Sequence, residues 1–102
     1  MRIEFERSGG FAGIQLAVSV DTEDLNPRDA ELLESAVASA AFSQLPPRLL
    51  SAAPGADRFQ YNLAVEEGDQ RHEVQVGEAA IPDTLRPLIE HMSVLARTGR
   101  LR

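Results

Sequence analysis

The sequence predicts an α+β fold of order β-β-α-β-β-α: a four-stranded antiparallel sheet with two helices packed on one of its faces. Three observations carry that expectation. Four runs alternate apolar and polar residues with period two. Two runs place apolar residues three and four apart, and clusters of glycine, proline and acidic residues separate the runs. The 102 residues are expected to form a single domain, 1–102, long enough to bury a core without covalent staples.

The first strand is expected over residues 3–8. Ile3 and Phe5 fall on one side, and Arg2, Glu4 and Glu6 on the other. The second runs over 14–21, where Ile14, Leu16, Val18 and Val20 alternate with Gln15, Ala17, Ser19 and Asp21. Between them, Gly9, Gly10 and Gly13 supply the backbone angles that a tight connection needs. A helix then starts at Asn26, a good N-cap, with Pro27 at its first position and Asp29 in the first turn. Its apolar stripe is Ala30, Leu33, Val37, Ala40 and Ala41, and Pro46 and Pro47 force it to end near Phe42.

Residues 43–57, "SQLPPRLLSAAPGAD", show no clear period. Leu45, Leu49 and Leu50 are expected to tuck part of this stretch onto the core, as a short helical turn. A connection of this length in a small domain is often functional. The third strand is expected over 58–66 with Phe59, Tyr61, Leu63 and Val65 inward, and the fourth over 71–77 with Val74 and Val76 inward. A polar turn around Gly68 and Asp69 joins them. The last helix is expected over 82–97. It carries Leu85, Leu88, Ile89, Met92 and Leu95 on one face, with Pro87 either in its first turn or bending it.

Composition excludes several classes of function. A net charge of −6 opposes a phosphate-neutralising nucleic-acid binder. No run is long and apolar enough to span a bilayer, and the first residues do not read as a signal peptide. There is no cysteine, so neither a disulfide framework nor a thiolate metal site is possible. The expectation is a cytoplasmic protein. All ten basic residues are arginine, which with the many alanines hints at a GC-rich bacterial genome.

Catalytic constellations are scarce. His72 and His91 are the only histidines, and "IEHMS" lacks the second histidine of a zinc-peptidase helix. No serine stands in a glycine-flanked nucleophile elbow. "SGGFAG" is not a phosphate loop, because no helix start follows it and the chain has no lysine. The chain is therefore read as a non-enzyme without cofactor or metal.

Binding remains, and Phe11 is the residue to explain. It stands at the apex of "RSGGFAGIQL", residues 7–16, where a turn would ordinarily carry polar side chains. Its ring either folds back to cap the core, as most aromatics do, or is an anchor offered to a partner. The second reading has specific chemistry. Gly-Gly-Phe-Ala suits a zinc endopeptidase with a hydrophobic pocket just after the cleaved bond. Small residues let the backbone approach the metal, and the large apolar one fills the pocket. The candidate contacts are Gly9, Gly10, Phe11, Ala12 and Gly13, with Asp57 and Arg58 as a second strip beside them. Alternatively, Asp57 only caps the turn into the third strand.

"IEFERSGGFAGI" (3–14), "PGADRFQY" (54–61) and "IPDTLRPLIEHM" (81–92) together resemble the emfourin family. These are bacterial inhibitors of protealysin and other thermolysin-like zinc metallopeptidases. The resemblance covers about residues 2–97 in the same order, and "SGGFAG" with Phe5 is its most specific part. It implies an inhibitor with no metal or cofactor of its own, occluding the cleft of a thermolysin-like zinc metallopeptidase, possibly one encoded nearby. No nucleic acid or membrane partner is expected, and the free protein is expected to be a monomer. The alternative is a non-inhibitory interaction module using the same surface.

A chain without cysteine or clustered histidine is expected to fold without metal. Excess chelator should leave its Tm unchanged in a thermal melt, and a drop of several degrees would contradict the reading.

Overall fold

The computed structural model describes residues 1–9, 16–52 and 58–101. Among them the elements run β1 (Arg2–Gly9), β2 (Leu16–Asp21), α1 (Pro27–Ser39), β3 (Arg48–Leu49), β4 (Phe59–Glu67), β5 (Gln70–Gly77) and α2 (Arg86–Thr98). The strands form one sheet in the order β2-β1-β4-β5-β3. β1 pairs antiparallel with both β2 and β4, and β4 pairs antiparallel with β5.

Period-two alternation decides which face is buried, because residues opposite each other in a ladder share a face. Ile3 lies opposite Val20 and Val65, and Phe5 opposite Val18 and Leu63. Val74 continues the Leu63 row and Val76 the Tyr61 row. Both helices press on this face. Leu33, Ala36 and Val37 of α1 and Leu88, Ile89, Met92 and Leu95 of α2 join Ile3, Phe5, Leu63, Val65, Val74 and Val76 in one core cluster. The opposite face carries Arg2, Glu4, Glu6, Asn62, Gln60, Arg71, Glu73 and Gln75.

The sheet is five-stranded and mixed, which corrects the four antiparallel strands expected from the sequence. The extra strand, β3, lies in the stretch that showed no period. Two residues are too few to display one. Its ladder is parallel to β5, Arg48↔Gln75 and Leu49↔Val76, and the Gln75 amide donates to the Pro47 carbonyl at 2.8 Å. Leu45 and Leu49 pack against the core as expected, and Leu50 stays 43% exposed.

The start of α1 follows the sequence closely. Asn26 caps it, its side-chain oxygen accepting from the Asp29 amide at 2.9 Å, with Pro27 leading the first turn. The helix stops at Ser39, three residues before Phe42. Ala41 takes the left-handed conformation (φ 46°), and a 3-10 turn over Phe42–Gln44 then sets Phe42 into the core. α2 begins at Arg86, later than the expected 82, because Pro82 closes a turn onto the Leu85 and Arg86 amides first. Pro87 sits within the first turn, where its missing N–H costs nothing.

An L-residue in the left-handed region costs roughly 1–2 kcal/mol, of which glycine's extra unfolded freedom offsets roughly 0.5–1. Ala41→Gly is therefore expected to stabilise the protein by about 0.5–1 kcal/mol. The urea midpoint checks this, and a decrease would contradict the strained helix exit.

Candidate functional site

The cover given by the helices fades along the sheet. On β1, Ile3 and Phe5 are buried, but Arg7 on the same face is only half-buried. On β4, Val65 and Leu63 are buried, while Tyr61 and Phe59 are half-buried. The ladder thus runs past its core into a rim where Arg7 faces Tyr61 and Leu16, and Gly9 faces Phe59.

Gly9 closes this rim. Its φ of +96° is a conformation that L side chains rarely adopt, and a Cβ there would meet the Arg58 carbonyl oxygen at 2.7 Å. The last rung of β1 therefore needs glycine twice, for its angle and for its contact. Arg58 is fixed mainly through its backbone: its amide donates to Glu78 Oε1 at 3.3 Å. Its guanidinium is 84% exposed with Nε 3.9 Å from the same oxygen, a weak pair that leaves the charge available.

Two of the residues singled out in the sequence, Gly9 and Arg58, are thus brought into contact from positions 49 residues apart. Gly10, Phe11, Ala12, Gly13 and Asp57 lie outside the described residues. Leu16, the first described residue after them, pairs with Arg7 at the same end. The described residues next to both segments therefore gather on one rim.

Three rim residues were not picked out from the sequence as site residues. Phe59 and Tyr61 read as plain core because they alternate correctly; what the sequence does not say is where the helical cover ends. Arg7 could have been found, since it occupies the third position of the Ile3, Phe5 row, where an apolar residue is expected. Its guanidinium carbon lies 4.7 Å from the centroid of the Phe59 ring. Its Nε is buried without a hydrogen-bond partner. A stacked cation is stabilised by roughly 0.5–2 kcal/mol. An unpaired buried donor costs roughly 1–3 kcal/mol, more when charged.

The open face has a different character. Arg71 forks onto Glu4 at 3.0 and 3.1 Å and reaches Glu66 at 2.9 Å and Glu73 at 3.2 Å, linking β1, β4 and β5. Ala64, opposite both Glu4 and Glu73, is 5% exposed beneath this network. Hydrogen bonding from Arg71 holds the Glu4 carboxyl below the usual carboxylate range, and the carboxylates hold Arg71 firmly charged. Glu4 consequently adds stability above the ordinary carboxylate pKa, and that contribution fades as pH falls through its lowered value. With 36% of its side chain open, solvent screening keeps the effect small. Next to it, Gln75 donates to Gln60 at 2.9 Å. Arg71 and Gln75 thus find their partners within this face.

His72 has a structural role. His72 Nε2 donates to the Leu45 carbonyl at 2.8 Å, and Phe42 meets its ring edge-on, so it pins the 3-10 turn to β5. Among the described residues no group of three or more His, Asp or Glu could hold a metal ion. Nor is any helix among them long and apolar enough to cross a membrane. The rim offers glycine backbone, aromatic surface and arginine, which are materials for docking a protein.

Comparison with known proteins gives a family match. The family model described as Emfourin covers residues 5–93. No curated protein matches, and no solved structure matches.

Replacing Gly9 with alanine is expected to destabilise the protein by at least roughly 1–3 kcal/mol, because backbone strain and the Arg58 contact act together. Chemical denaturation measures it; a loss below about 0.5 kcal/mol, within the range of an ordinary surface change, would contradict the close approach of the two strands.

Proposed function

The chain belongs to the emfourin family, a family of protease inhibitors, and from that premise we propose that it blocks the cleft of a thermolysin-like zinc metallopeptidase with the rim of its sheet. The observation that supports the reading is the close approach of Gly9 to Arg58, described residues of "SGGFAG" and "GADRFQY", the most family-like parts of the sequence. Contacts from both would reach one partner at once, on a scaffold whose strands are already fixed. Little conformational entropy is then lost on docking.

In this reading Phe11 enters the peptidase's hydrophobic pocket and Gly10 brings its carbonyl towards the catalytic zinc. Gly9, Ala12 and Gly13 let the backbone pass close to the cleft, and Asp57 and Arg58 form the second strip. A real substrate would be cut. The inhibitor must therefore hold the 10–11 bond off the attack geometry, or keep the cut ends in place. The open face takes no part, since among the described residues it lacks aromatic anchors and Arg71 at its centre is already engaged by carboxylates. The absence of cysteine fits a reducing bacterial cytoplasm.

Phe11→Ala tests the reading. Burying a phenylalanine is worth roughly 1.5–3 kcal/mol, so inhibition should weaken by about tenfold to a hundredfold with little change in Tm. Phe11→Leu should be tolerated, and charge reversal at Gln60 or Gln75 should change inhibition by less than about threefold. A large fall in Tm for Phe11→Ala, with inhibition restored at temperatures where the variant is folded, would instead make the ring a core cap.

A further inference from the structure

Among the described residues, Arg7 presents a cation on the apolar face of the sheet without an acceptor. Its neighbours by register on that face are Tyr61 and Leu16, neither of them anionic. Glu6, the adjacent carboxylate in sequence, points to the opposite face by strand parity. Glu78, near the same rim, accepts from the Arg58 amide through Oε1. Among the described residues, none forms an ion pair or hydrogen bond with the Arg7 guanidinium, although Nε is fully buried. Its Cζ lies over the Phe59 ring. A guanidinium fork with no anion among the described residues can receive a carboxylate.

We infer that Arg7 receives a carboxylate from an acidic side chain on the rim of the partner peptidase's cleft. This rests on the inhibitor reading and adds to it a charge-specific contact. The carboxylate would meet the terminal nitrogens of the half-buried side chain, and cleft rims that lack one there would bind less tightly. The overall charge of −6 does not itself attract an acidic surface. An acidic chain repels an acidic partner surface in general, so a local cation is needed where such a surface must be met.

The test uses the full chain and a thermolysin-like peptidase that the wild-type protein inhibits, assayed on a fluorogenic peptide. Arg7→Met keeps the length and the contact with Phe59 while removing the charge. It is expected to weaken inhibition by at least about thirtyfold and to leave Tm unchanged or raised. Arg7→Lys, which keeps the charge without the fork, should fall between the two. Added salt should weaken the wild type more than Arg7→Met. Neutralising the matching carboxylate on the peptidase should cost as much, with no further loss from Arg7→Met. Inhibition by Arg7→Met within about threefold of wild type overturns the inference and leaves the inhibitor reading standing. So does a fall in Tm of several degrees for both Arg7→Met and Arg7→Lys, which would make Arg7 a partner of this chain's own residues. A wild-type protein that inhibits no such peptidase overturns both.

Discussion

The β1–β4 ladder is longer than the helices that cover it. Eight rungs join Arg2↔Glu66 to Gly9↔Phe59, but the buried row on the covered face ends at Phe5 and Leu63. A sheet face left half-covered in water keeps apolar surface exposed unless something else occupies it. Here the last rungs carry Arg7, Tyr61, Phe59 and Gly9 rather than leucine or valine. The rim can therefore remain in water and still offer aromatic surface to a partner.

Two further features serve the same geometry. The contact between Gly9 and the Arg58 carbonyl fixes the far end of the ladder, so the segments leaving it start from defined positions. On the open face, Arg71 and its three carboxylates tie β1, β4 and β5 together without apolar packing. Individually such exposed pairs stabilise little. Their value here is that they leave the open face with few unmet demands. Among the described residues the two faces thus differ in kind, one tied by a charge network and the other only half-buried at its end. An inhibitor benefits from that asymmetry, because rigid docking at one place loses less entropy than ordering a surface on contact.

Much of this was legible in the residues. Period two found β1, β2, β4 and β5 to within a residue or two among the described positions, and Asn26 with Pro27 marked the start of α1. The resemblance carried by "SGGFAG" and "GADRFQY" gave the family, which the model match over 5–93 supports. The misses have physical causes. β3 is held by a partner strand and has no pattern of its own. Ala41 adopts a left-handed angle that only the burial of Phe42 requires. Pro82 starts a turn rather than a helix because it closes onto Leu85 and Arg86 before regular spacing begins. Phe59 and Tyr61 follow the core pattern faithfully, and only the length of the helices leaves them at the rim. At Arg7 the pattern did break, and a charge in an apolar row is the kind of local inconsistency that marks a functional position.

The most direct measurement is a map of amide shift changes in the chain as it binds a thermolysin-like peptidase. The account predicts that, among the described residues, the largest changes fall on Arg7, Gly9, Leu16, Arg58 and Phe59, with Asn62, Arg71, Glu73 and Gln75 little affected. Changes centred on the Arg71 network, with the Gly9–Arg58 rim unchanged, would contradict it.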